Sequence, residues 1–177
     1  MPALSFQVRA FVALGANLPF EGAAGAQLLG RALAALEAAG LAIGARSSVW
    51  ETEAWPLGSG QPDFANAVVE LDARGLAPQP LYETLAAIER SFGRERRQRW
   101  AARTLDLDIL AMDGFEGEFG GVELPHPRMH ERAFVLAPLA EIAPGWRHPT
   151  LGQTAAALLA GLSESGRRRR LGPLGVA

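Results

Sequence analysis

The chain has 177 residues, 49% of them apolar and 20% charged, with a formal net charge of −2. That is the size and make-up of one compact domain, and its acidic balance excludes a general nucleic-acid binder. All 17 basic residues are arginine and there is no cysteine, so lysine-based phosphate loops, Schiff bases, disulfides and thiolate metal sites are excluded. No apolar run approaches the ~20 residues that span a bilayer, and a cytoplasmic protein without membrane partners is the expectation.

Gln7–Leu14 reads as a central strand, with Val8, Ala10 and Val12 on one face and Phe11 and Ala13 on the other. From Gly22 to Gly40, Leu28, Leu29, Ala32, Leu33 and Leu36 recur at helical spacing, and Gly40 is a good stop. Ala42–Glu51 reads as one strand and Glu53–Pro62 as a loop. Phe64–Ala73 alternates, with Ala67, Val69 and Leu71 opposite Phe64, Asn66 and Val68. Pro80–Phe92 is helical, with a stripe of Leu81, Leu85, Ile88 and Phe92 and a capping Gly93. Thr104–Met112 reads as a strand, Asp113–Gly121 as a hairpin or loop, and His130–Ala140 and Leu151–Leu162 as helices. Residues 1–162 form one domain in this reading, and the Arg- and Gly-rich tail 163–177 is disordered. Irregular mixing of strands and helices predicts an α+β fold.

The chemistry concentrates in one stretch. Arg90, Arg94, Arg96, Arg97, Arg99 and Arg103 directly precede Thr104-Leu105-Asp106-Leu107-Asp108-Ile109-Leu110. The two-residue period of a strand puts Asp106 and Asp108 on one face, with Leu105, Leu107 and Ile109 on the other. Their Cα atoms then lie about 7 Å apart. Two carboxylates at that distance repel by roughly 2 kcal/mol at an effective dielectric of ~20, so a positive group belongs between them. The arginines or a divalent cation can serve. Two hard carboxylates suit Mg²⁺, and neighbouring guanidinium forks suit phosphate oxygens. The combination reads as a nucleoside triphosphate site. On the residues alone, a solvated salt-bridged strand, a ligand sensor and a metal-dependent phosphohydrolase stay open. His126 and His130 stand four apart, but Pro127 lies between them and no third ligand is apparent, which argues against zinc. His130 reads as an exposed helix-start residue.

Several ordered blocks are similar to the 6-hydroxymethyl-7,8-dihydropterin pyrophosphokinase family. Arg99-Trp100-Ala101-Ala102-Arg103-Thr104-Leu105-Asp106-Leu107-Asp108-Ile109 resembles that family's R-W-G-P-R-T-L-D-L-D-I signature. Leu14-Gly15-Ala16-Asn17 resembles its opening L-G-S-N. Trp50-Glu51-Thr52-Glu53 with Gln61-Pro62-Asp63-Phe64-Ala65-Asn66-Ala67-Val68 resembles its Y-E-T and Q-P-x-[FY]-x-N-x-V block. Ile88-Glu89 with Gly93-Arg94, and Pro125-His126-Pro127-Arg128-Met129 with Arg132 and Phe134, resemble two further blocks. The blocks cover roughly residues 8 to 160.

The resemblance implies a three-layer αβα sandwich, ferredoxin-like, around a mostly antiparallel sheet. It implies pyrophosphoryl transfer from ATP to the pterin's hydroxymethyl group in folate biosynthesis, with AMP leaving. Asp106 and Asp108 would hold two Mg²⁺ ions, and Arg94 and Arg103 would stabilise the transferred group. Glu89, Arg96, Arg99, Trp100, Ile109, His126 and Arg132 would line the ATP site. Thr52, Phe64, Asn66, Trp100 and Phe134 would bind the pterin. A monomer with small-molecule substrates is expected. The chain departs from the family pattern at Ala101-Ala102, at Ala54-Trp55-Pro56, and at Gly121, where some members carry a basic residue. Mobile loops are implied at 15–20, 50–61 and 91–99.

Overall fold

A computed structural model describes residues 8–54, 58, 60–93, 104–162 and 168–175. Strand β1 (Arg9–Ala16) lies inside the sheet, flanked by β4 (Phe64–Asp72) and β5 (Asp106–Met112). On the far side of β4 run β2 (Ile43–Arg46) and β3 (Ser48–Thr52), and β3 in turn pairs with β8 (Arg168–Pro173). Every strand pairing among the described residues is antiparallel.

Alternation along the strands builds two cores. Ala10, Val12 and Leu14 of β1, with Ala67, Val69 and Leu71 of β4, face α1 (Gly25–Ala38) and α2 (Pro78–Ser91). Those helices present the expected stripes: Leu28, Leu29, Ala32, Leu33 and Leu36, then Leu81, Leu85, Ile88 and Phe92. Phe11 and Val68 point the other way, toward α3 (Ala133–Ile142) and α4 (Ala155–Gly161). The result is the three-layer αβα sandwich. Prolines in the first turn of α2 cost no helical hydrogen bond there. At its end Gly93 takes φ +71°, and a Cβ on it would stand 2.7 Å from the Phe20 ring, so both conformation and space demand glycine.

The structure corrects five expectations. The single strand at 42–51 is two, broken at Ser47, whose hydroxyl accepts the Val68 N–H and donates to the Ser48 carbonyl. The helix placed at 151–162 begins only at Ala155, where Thr154 Oγ1 accepts the Ala157 N–H. Before it, a turn forms in which the Gly152 N–H donates to the His148 carbonyl. The helix placed at 130–140 begins at Ala133, after a short 3-10 turn, Met129–Glu131. His130 in that turn is half-buried and edge-on to His148, with ring centroids 5.8 Å apart, rather than exposed.

The fifth correction concerns the tail. Arg168–Pro173 is an ordered edge strand rather than a disordered segment. Glu141 of α3 explains it. Its carboxylate accepts from the Ser48 N–H and hydroxyl, the Trp50 indole and the Arg170 guanidinium, tying α3, β3 and β8 together. Arg169 pairs with Glu51 at 2.8 Å. The hairpin or loop expected at Asp113–Gly121 is a hairpin that extends further, with β6 (Gly117–Phe119) paired to β7 (Val122–Leu124). Gly120 and Gly121 at its turn both have positive φ.

Candidate active site

The site lies on the α3–α4 face of the sheet, at the end of β1 that carries Gly15. Pairing register places Trp50 (β3), Asn66 (β4), Gly15 (β1) and Asp106 (β5) in one cross-strand row. Val68, Ala13 and Asp108 form the next row. Directly paired residues project to the same side. Asn66 and the two aspartates therefore face one another across a middle strand that offers a hydrogen at Gly15 and a methyl at Ala13. Two strand spacings put the walls about 10 Å apart. The centre of the sheet is a shallow floor between an amide and two carboxylates.

The amide wall is fixed. Asn66 is 7% exposed, and its Nδ2 donates to Thr52 Oγ1 at 2.7 Å. Phe64, half-buried, pairs with Thr52. A Cβ added at Gly15 would stand 3.2 Å from Asn66 Oδ1, so the glycine leaves the room that oxygen occupies. Asn17, just beyond β1, is buried and donates to the Pro62 carbonyl at 3.2 Å, which anchors the segment leading into β4.

The carboxylate wall depends on an irregularity. Asp106 and Asp108 are half-buried, while Leu105, Leu107 and Ile109 point into the core under α1 and α2. The pairing with β1 then slips by one residue: Val12 faces Ile109 but Phe11 faces Ala111. Leu110 is the extra residue, a β-bulge. Beyond it, Leu110 and Ala111 both face the α3–α4 core. The Leu110 carbonyl accepts the His126 N–H at 2.7 Å, which brings the segment after β7 alongside the aspartates.

His126 is thereby held in a positive, partly dry setting. Burial first, then the nearby Arg132, depresses its imidazole to about 4, against an opposing pull from Asp106. Its Nδ1 accepts the Arg128 N–H at 3.2 Å, so the neutral ring carries its proton on Nε2. Arg132 stands at the N-cap of α3, its guanidinium 5.8 Å from the centre of the Phe134 ring. Phe134 is 36% exposed, its ring facing outward from the first turn of α3, ahead of the buried run Val135–Leu139.

Of the residues expected in the site, Thr52, Phe64 and Asn66 share one wall, and Asp106, Asp108, His126 and Arg132 group on the other. Phe134 lies beside Arg132. Ile109 turns its side chain to the opposite core, so only its backbone belongs to the site edge. Glu89 is buried inside the protein, its Oε1 accepting the Leu107 N–H at 2.7 Å. Arg94, Arg96, Arg99, Trp100 and Arg103, with most of the expected loop 91–99, lie outside the described residues. Three contributors escaped the sequence reading: Gly15, Asn17 and Glu141. A glycine inside a strand signals a close approach, and Gly15 carried that signal; Asn17 carried only its place in the L-G-S-N-like block, and Glu141 carried none.

Among the described residues no cluster of three or more His, Asp or Glu could hold a metal. The Asp106–Asp108 pair supplies hard carboxylate oxygen donors on one face of the strand. That suits a cation whose remaining positions go to water and phosphate.

The sequence matches the family described as 7,8-dihydro-6-hydroxymethylpterin-pyrophosphokinase over residues 11–144. It is 38% identical over 161 residues to the 2-amino-4-hydroxy-6-hydroxymethyldihydropteridine pyrophosphokinase of Methylorubrum extorquens, covering 91% of this chain and 98% of that one. The enzyme of the same name from Bacillus subtilis is 42% identical over 135 residues, 75% of this chain and 77% of that one. The one from Synechocystis is 44% identical over 116 residues, 66% of this chain and 58% of that one. The fold matches wild-type Plasmodium falciparum HPPK-DHPS with a TM-score of 0.65 at 13% identity, covering 86% of this chain and 44% of that longer one. The expected ferredoxin-like sandwich is the fold observed. The chain belongs to the 7,8-dihydro-6-hydroxymethylpterin-pyrophosphokinase family, transferases of folate biosynthesis that place a pyrophosphoryl group on hydroxymethyldihydropterin.

Proposed function

We propose that this chain takes the pyrophosphoryl group from ATP, with the pterin on the Asn66 wall and the phosphates on the aspartate wall. The observation that carries the reading is the row Asn66–Gly15–Asp106, which sets the two walls about 10 Å apart with only a glycine between them. Thr52 orients Asn66, whose carboxamide offers a donor and an acceptor to the pterin's edge. Phe64 and Phe134 supply aromatic surface for the flat ring system. The hydroxymethyl oxygen attacks the β-phosphorus, the bond from that phosphorus to the oxygen bridging to the α-phosphate breaks, and AMP leaves.

Asp106 and Asp108 would hold two Mg²⁺ ions, which supply charge neutralisation at the phosphates. His126 offers an Nε2–H to a phosphate oxygen while adding no charge, and Arg132 offers a permanent one. Arg94 and Arg103 are assigned to the transferred group, and Arg96, Arg99 and Trp100 to the nucleotide, by their place in the family pattern. Gly121 has no charged side chain to offer the phosphates. We place the reaction in the cytoplasm and assign it to a single chain.

Product analysis with ATP, Mg²⁺ and hydroxymethyldihydropterin tests the reading. AMP is expected in equal amount to pterin diphosphate, and only when pterin is present. Free phosphate released without pterin would instead indicate a hydrolase, and nucleotide binding without turnover a sensor; either result overturns the proposal.

A further inference from the structure

We propose that Glu89 is a positioning residue: it grips the peptide between Asp106 and Asp108 and so sets the direction of the metal-holding carboxylates. This rests on the functional reading above. Glu89 lies near the end of α2 and is 4% exposed, a rare placement for a carboxylate unless it is engaged. Its Oε1 accepts the Leu107 N–H at 2.7 Å, within the short range of charge-assisted hydrogen bonds.

Strand geometry makes that contact specific. Successive N–H groups of a strand point to alternate edges. Among the described residues β5 pairs with β1 alone, and the Leu107 N–H, engaged by Glu89, points to its other edge. The same peptide plane carries the Asp106 carbonyl. Holding the plane fixes the backbone torsion that aims the Asp106 side chain. Leu107 is held a second time, because its side chain is buried in the α1–α2 core. The link between the two aspartates is thus clamped at its amide and at its side chain, while both carboxylates lie on the opposite, α3–α4 face of the sheet. A buried carboxylate engaged with backbone is poorly placed to touch a nucleotide, so the ATP-lining role implied by family resemblance gives way to this one.

The test compares Glu89→Gln with Glu89→Met. Glutamine keeps an acceptor oxygen; methionine keeps the length and bulk but accepts no such bond. Three quantities are read: hydrogen exchange of the Leu107 amide, Mn²⁺ affinity by spin-resonance titration with a non-hydrolysable ATP analogue, and turnover. In wild type the Leu107 amide is expected to exchange slowly despite its edge position. In E89M that exchange accelerates by about a hundredfold or more, and Mn²⁺ affinity and kcat each fall about tenfold or more. The KM for pterin and metal-free nucleotide affinity hold within about twofold. E89Q stays closer to wild type in all three. Fast Leu107 exchange in wild type overturns the proposal, and that measurement needs no variant to fold. So does wild-type Mn²⁺ affinity in E89M, or loss of metal-free nucleotide binding. A wild-type chain that makes no AMP but shows the Mn²⁺ and exchange differences would sink the functional reading and leave this one standing.

Discussion

At Gly15 a single hydrogen separates the amide of one neighbouring strand from the carboxylate of the next. Gly15→Ala would bring a methyl to 3.2 Å from Asn66 Oδ1. The expected result is a folded protein whose KM for pterin rises about tenfold, equivalent to ~1.4 kcal/mol, with nucleotide affinity little changed. Steady-state kinetics with each substrate varied in turn will show whether the loss is confined to pterin. On the opposite wall, Asp106→Asn and Asp108→Asn each remove one anionic donor from a two-carboxylate set. Turnover is expected to fall at least about a hundredfold in each. Near-normal rates in either variant would remove that residue from the metal site. The facing of these aspartates was legible from strand period alone. Gly15 as a floor was not, because its meaning lies in the register of three strands distant in sequence.

Elements show a similar division. The stripes of α1 and α2 and the two faces of β1 and β4 follow from local periodicity, and the structure has them as expected. The bulge at Leu110 has no sequence signature, yet it turns a carbonyl outward to catch His126. β8 was illegible for a different reason. Arg168-Arg169-Arg170-Leu171-Gly172-Pro173 has no apolar alternation, and its acidic partners, Glu51 and Glu141, lie 118 and 29 residues away along the chain. Burial alone would raise the Glu141 carboxyl, but the Ser48 hydroxyl, the Trp50 indole, the Ser48 N–H and Arg170 together hold it below its ordinary range. Glu141→Ala should therefore cost about 1–3 kcal/mol, mostly from donors left unsatisfied rather than from the exposed arginine pair. The expected signature is faster amide exchange at 168–173 with α1 unchanged. Uniform change across the molecule would show that Glu141 does not act through β8.

For the whole molecule, the two depressed histidines set the response to acid. His126 is held at about 4 by burial and Arg132, and His148 is lowered by burial and by His130 beside it. Each unfolded imidazole titrates near 6.5, so between that pH and the folded value the unfolded chain binds more protons. Their contribution to stability is complete above pH 6.5 and is lost as pH falls below it, for His126 toward 4. Glu141 acts lower: its contribution is present above about 4.5 and is lost as pH drops through its depressed folded value. Melting scans should show Tm falling by several degrees from pH 7 to pH 5. In His126→Asn, which keeps an acceptor for the Arg128 N–H, the fall over that interval should be smaller. An identical slope in wild type and variant would mean that His126 is not held neutral. The α+β class was visible at this scale from the irregular mixing of strands and helices, and the sandwich layering from the family resemblance. The neutral histidine was not, since burial and Arg132 act on it only after the chain folds.

The two outer strands of the sheet have a further consequence. An open strand edge is a template on which another chain can add, and this protein closes its edges differently. β5 has the Leu107 N–H capped by a carboxylate and the Leu110 carbonyl by the His126 backbone. β8 bears Arg169 and Arg170 on exposed stems, then Gly172 at φ +143° and Pro173, which has no N–H to donate. Charge, irregular backbone and proline all discourage strand addition. In a chain without lysine, arginine takes the guarding role at the sheet's rim, as it is assigned the phosphate-binding role in the cleft.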